Sequence, residues 1–124
     1  MRVQGYAALF DRVDRAGDVF RAGAFGAGAL EEGRVPLLVQ HRGEAVGTVA
    51  VAEDARGLRV WGEVGDPLVA GLVRSGALGG LSVGYRALEV RQGGYREIRR
   101  AALVEVSLVA QPMQPLARVD AAWE

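Results

Sequence analysis

The sequence predicts a mainly β domain, an antiparallel sheet or barrel of six to seven short strands carrying one clear helix. Three observations predict it. Apolar and polar residues alternate over short runs, clusters of Gly, Pro and Asp separate those runs, and no strict βαβ alternation is present.

Each element has its own signal. Arg2 to Phe10, rich in Val3, Tyr6, Ala7, Ala8, Leu9 and Phe10, reads as a first strand, and Asp11 to Asp18 as a turn-rich stretch. Ala22 to Gly33 mixes small residues with Phe25 and Leu30 and reads as room for a short helix. In Val35 to His41 an extended chain would place Val35, Leu37, Val39 and His41 on one face, ahead of an Arg42-Gly43-Glu44 turn. Ala45 to Glu53 and Gly57 to Val64 read as consecutive strands joined by Asp54-Ala55-Arg56-Gly57. In the second, Leu58, Val60 and Val64 alternate with Arg59, Trp61 and Glu63, as in a sheet with one buried face. Asp66-Pro67 supplies an N-cap and a first-turn proline, Leu68, Val69, Leu72 and Val73 a helical stripe, and Ser75-Gly76 the stop. Leu81 to Val90 and Tyr95 to Ala102 flank Gln92-Gly93-Gly94 as a hairpin, and Leu103 to Gln111 reads as a final strand ended by Pro112 and Pro115.

At 124 residues the chain is one domain, residues 1–124, long enough to bury a core without disulfides or metal. Fifteen Arg and no Lys balance fifteen acidic residues, so bulk charge gives no footprint for nucleic acid. No apolar run approaches the length of a membrane span, and the start lacks the apolar region of a signal peptide, so a cytosolic protein is expected. The absence of cysteine excludes disulfides, thiol nucleophiles and thiolate metal sites, and a single histidine excludes a multi-histidine site within one chain.

Scarcity narrows the chemistry. Without Cys or Lys, the usual nucleophiles reduce to Ser75, Ser82, Ser107 and Thr48, and His41 is the obvious base near neutral pH. In Gly80-Leu81-Ser82-Val83-Gly84-Tyr85, alternation puts Ser82 and Gly84 on one face, where a side-chain-free position leaves room for a substrate backbone; a tolerated strand serine is the plainer reading. In Leu103-Val104-Glu105-Val106-Ser107-Leu108, Val104, Val106 and Leu108 share one face, Glu105 and Ser107 the other. A carboxylate in so apolar a strand needs water or a partner, unless that face is open to solvent.

At these residues the chain resembles the prohead proteases of tailed bacteriophages, the HK97-type capsid maturation serine proteases. The resemblance runs through Gly5-Tyr6-Ala7 with Phe10-Asp11, Asp14 with Gly17-Asp18-Val19, Gly23-Ala24-Phe25, Pro36-Leu37-Leu38 with Gln40-His41, Asp54 to Leu58, Gly80 to Tyr85, and Glu105 to Val109 with Pro112. It implies a closed or nearly closed β-barrel similar to herpesvirus assemblin, a nucleophile at Ser82 and a general base at His41. Assemblin-like enzymes use a second histidine as third member, and this chain has none, so Glu105 is expected to orient the imidazole, with Asp18 and Glu44 as substitutes. Ser75→Ala and Ser107→Ala are expected to retain most activity.

The implied reaction needs no metal or cofactor, and its oxyanion donors are sought in the Gln111 to Gln114 loop. The implied partners are the major capsid protein with its scaffolding segment, and the protease itself as substrate, inside a procapsid in the bacterial cytoplasm; no nucleic acid or membrane is expected, and a homo-oligomer stays open. The competing reading is an inactive barrel serving capsid assembly, with an esterase as a weaker rival. Arg42 stands where relatives often carry an acid. The chain also stops soon after Pro115, as a compact, processed or trimmed form would.

Overall fold

Period-two alternation is realised most cleanly in Gly57–Val64, where Leu58, Val60 and Val64 are buried while Trp61 and Glu63 face solvent. The computed structural model describes residues 1–26 and 34–124. Its elements are β1 (Arg2–Leu9), β2 (Asp18–Phe20), β3 (Arg34–Val39), β4 (Arg42–Glu53), β5 (Gly57–Val64), α1 (Pro67–Arg74), β6 (Gly80–Gln92), β7 (Arg96–Val109) and β8 (Val119–Trp123).

The helix is specified locally at both ends. The Asp66 carboxylate accepts from the Leu68 and Val69 N–H groups, which would otherwise lack partners, and Pro67 follows in the first turn. Gly76, at φ 84°, takes the left-handed conformation that ends it. The buried stripe is Val69, Ala70 and Val73, whereas Leu68 is 74% exposed. Of the expected stripe of Leu68, Val69, Leu72 and Val73, only the two valines are buried, and Ala70 joins them.

Pairing departs further from expectation. The strands form one curled, open, mixed sheet in the order β2-β7-β3-β4-β5-β1-β8, with β6 on β7, in place of a closed antiparallel barrel. Both β2 and β3 run parallel to β7, β2 along Arg96–Ile98 and β3 along Val106–Leu108. The long β7 therefore replaces the two separate strands expected over Tyr95 to Ala102 and Leu103 to Gln111. Short β2, at the end of the turn-rich stretch, and β8, beyond the prolines, are additional strands. Between β6 and β8 the backbone makes only a narrow seam, with Leu81 N–H donating to Ala117 and Val119 N–H to Gly79 beside an isolated Gly80 and Arg118 bridge.

Two further differences are local. Ala22 to Gly26 are turns, and the rest of the stretch expected to hold a short helix lies outside the described residues. The β3–β4 turn is Gln40-His41, since Val39 pairs with Arg42 and β4 already begins there. Beneath the sheet lie Phe25, Leu37, Leu58, Leu81, Ile98 and Leu108, each at most 1% exposed. Burial of each such side chain contributes roughly 1.5–3 kcal/mol before conformational costs. Among the described residues, no helix is long and apolar enough to cross a membrane.

Candidate active site

Two antiparallel pairings place the polar residues of β6 and β7 side by side. Ser82 stands opposite Ser107, and Gly84 opposite Glu105. Immediately beyond, Tyr85 pairs with Leu103, so Val104 is an extra residue in a β-bulge. Val104 is accordingly 53% exposed and leaves the face it was expected to share with Val106 and Leu108. Glu105 and Ser107 remain buried together on the opposite face, as alternation predicts.

His41 comes from elsewhere in the chain. The parallel pairing of Leu37, Leu38 and Val39 with Val106, Ser107 and Leu108 carries the β3–β4 turn alongside β7. Gln40 and His41 both have positive φ, 55° and 60°, as a two-residue turn of the primed type requires, although neither is glycine. β7 and the residue after it hold this turn at three points: Gln40 N–H donates to Leu108 C=O at 3.0 Å, Ala110 N–H to Gln40 Oε1 at 2.8 Å, and His41 N–H to Ser107 Oγ at 3.1 Å. The left-handed backbone takes His41 out of the strand alternation and swings its imidazole toward β6.

The result is a continuous hydrogen-bonded series. His41 Nε2 lies 3.1 Å from Ser82 Oγ, and His41 Nδ1 lies 2.5 Å from Glu105 Oε1. The other carboxylate oxygen, Oε2, accepts from Ser107 Oγ at 2.7 Å. The Glu105 side chain is 9% exposed, while that of His41 is 42% exposed and accessible to a substrate. A carboxylate on one imidazole nitrogen favours the tautomer with its proton at Nδ1, leaving Nε2 free to accept from Ser82.

The space beside Gly84 is not open to a substrate backbone, as the sequence suggested, because the Glu105 side chain fills it. A Cβ at position 84 would overlap Glu105 Oε1, Cδ and Cγ.

The remaining candidates have other partners. Asp18 binds Arg96 through two hydrogen bonds of 2.8 and 2.9 Å and accepts from the Tyr85 hydroxyl. Arg96 holds the Asp18 carboxyl below its ordinary range, and burial pushes the Tyr85 phenol up to about 12. Burial pushes the nearby Asp14 carboxyl up. Glu44 is exposed on β4. Ser75 caps α1, its hydroxyl donating to Leu72 C=O, and Thr48 accepts from Arg34 in a separate hollow with Trp61 and Trp123. Ser107, whose replacement by Ala is expected to retain most activity, contacts both Glu105 and the His41 backbone, contacts that the Glu-x-Ser spacing on one strand face could have signalled.

Two depressions meet at Ser82 and His41. One, of about 190 Å³, is lined by Ala7, Phe20, Leu81, Val83 and Tyr85 and also by Asp14 and Asp18. The other, of about 450 Å³, includes Gln40, Arg42, Gln111 and Met113. Among the described residues, no three His, Cys, Asp or Glu side chains are grouped as metal ligands. The arrangement can activate a hydroxyl for attack on a carbonyl in a partly apolar cleft.

A family model described as caudovirus prohead serine protease matches residues 1–124. No protein of curated function matches the sequence. Among solved structures, a protease of Kaposi's sarcoma herpesvirus in complex with a hexapeptide phosphonate inhibitor is similar at 13% identity and a TM-score of 0.59, covering 91% of this chain and 60% of that one. The varicella-zoster virus protease matches at 19% identity and a TM-score of 0.47, over 82% of this chain and 56% of that one. The chain thus spans less than two-thirds of the length of these proteases.

Proposed function

We propose, since the chain belongs to the caudovirus prohead serine protease family, that it is a serine endopeptidase of capsid maturation with Ser82 as nucleophile, His41 as general base and Glu105 as the acid that orients it. Its substrates are the scaffolding segment of the major capsid protein and the protease itself, cleaved inside the procapsid. The observation that carries this reading is the unbroken run from Ser82 Oγ through the imidazole to the buried Glu105 carboxylate, at 3.1 and 2.5 Å.

Ser82 Oγ attacks the scissile carbonyl while its proton passes to His41 Nε2. The imidazolium so formed is stabilised by Glu105, which keeps its own charge. As the C–N bond breaks, His41 returns that proton to the leaving amine, and an acyl-enzyme remains on Ser82. Water then attacks the ester carbonyl, giving one proton to His41. Collapse frees the acid product, and the proton returns to Ser82. Backbone donors for the oxyanion are assigned to the loop of Gln111, Met113 and Gln114, which border the same cleft, Pro112 having no N–H to give. The smaller depression, with Phe20, Leu81 and Val83 in its wall, receives a substrate side chain.

The test is labelling with a fluorophosphonate, followed by peptide mapping, together with cleavage of the cognate capsid protein. Label on Ser82 and its loss in Ser82→Ala are expected. A folded chain that neither labels nor cleaves would favour the inactive assembly module.

A further inference from the structure

Ser107 is 0% exposed, and its hydroxyl makes two bonds that face different parts of the site. It donates to Glu105 Oε2 at 2.7 Å and accepts from the backbone N–H of His41 at 3.1 Å. Together with the contact between His41 Nδ1 and Glu105 Oε1, these bonds close a ring: His41 backbone, Ser107 hydroxyl, Glu105 carboxylate, His41 imidazole. The histidine is thus gripped at both ends, at a residue whose φ of 60° lies in the left-handed region that non-glycine residues seldom adopt.

We infer that Ser107 is a positioning residue, fixing Glu105 and the His41 turn in the geometry that lets the imidazole take the Ser82 proton. The inference rests on the assignment of Ser82, His41 and Glu105 above. Each Glu105 oxygen has a different donor, so the carboxylate cannot rotate without breaking one of two bonds. Without the Ser107 hydroxyl, Oε2 loses its partner in a buried setting, and the His41 N–H loses its acceptor. Both groups then seek new partners, and the imidazole moves with them. Small displacements of a catalytic group weaken rate far more than binding, since proton transfer requires alignment that substrate contact does not. Nothing in this role touches the substrate, so the penalty belongs to the chemical step.

The experiment follows inactivation by diisopropyl fluorophosphate in wild type, Ser107→Ala and Ser107→Cys, separating the maximal inactivation rate from the reagent concentration giving half that rate. Cysteine nearly preserves volume but is a weak donor, and it decides the matter if Ser107→Ala does not give a cooperative thermal melt. The expected result is a maximal rate lowered about tenfold to a hundredfold with the half-saturating concentration within about twofold of wild type. A maximal rate within about threefold of wild type in a folded variant would overturn the role of Ser107 while leaving Ser82 as nucleophile. So would a loss confined to the half-saturating concentration. Wild type that is not labelled at Ser82 would overturn the underlying assignment, and the inference with it.

Discussion

Glu105→Gln changes one charge and almost no volume, and so isolates the electrostatic part of the site. Glutamine can keep its amide oxygen on His41 Nδ1 and turn its amino group to Ser107 Oγ, the two positions now occupied by the carboxylate oxygens. What it cannot supply is a negative charge to offset the imidazolium that the proposed mechanism forms when Ser82 gives up its proton. For charge centres about 4 Å apart in surroundings of effective dielectric constant about 20, that attraction is about 4 kcal/mol. About three powers of ten in turnover should therefore be lost. The assay is cleavage of the cognate capsid protein under single-turnover conditions, with thermal melts on the same samples. The melting temperature should barely move, and Glu89→Gln, at an exposed position of β6, should cleave like wild type. Turnover by Glu105→Gln within about threefold of wild type would refute the reasoning and reduce the site to Ser82 and His41. Neither Asp18 nor Glu44 stands ready to take over, the first being bound to Arg96 and the second exposed on β4.

Ser82→Ala should abolish cleavage, by on the order of a million-fold in turnover, with an unchanged melt; normal cleavage by this variant would refute the assignment. Gly84→Ala should leave the sheet folded and lower turnover by about tenfold or more, because its Cβ displaces the Glu105 carboxylate from His41; wild-type rates would show that the carboxylate can yield without consequence. Arg96→Gln should cost about 2 kcal/mol at pH 7 in urea unfolding, since it removes the charged partner of Asp18. Arg96 holds the folded-state value of Asp18 below the ordinary one of about 3.9, so this stabilisation is present above that value and is lost as pH falls through the depressed one. The gap between wild type and Arg96→Gln should hence shrink toward pH 2, and a constant gap would refute the pairing as its source.

Much of the local structure was legible along the chain. Asp66-Pro67 and Gly76 mark α1 because caps act within a turn or two, and Gly93-Gly94 marks the β6–β7 hairpin for the same reason. Alternation assigned Ser82 with Gly84, and Glu105 with Ser107, to common faces, and both pairings of faces hold in the structure. The lone histidine and the four hydroxyl candidates were legible from composition alone. Less legible was the turn at Gln40-His41, because neither residue advertises the positive φ that Asn-Gly would.

Period two tells which face a side chain occupies, and it is silent on which strand lies alongside. That choice rests on contacts between residues far apart in sequence, made worthwhile only when Leu37, Val106 and Leu108 are buried together. Only the tertiary structure therefore decided that β3 runs parallel to β7, that Ser82 sits opposite Ser107, and that the bulge at Val104 leaves Glu105 facing His41. The residue types with the needed chemistry were written in the sequence. Their meeting within hydrogen-bond reach follows from burying apolar faces whose partners no local pattern names.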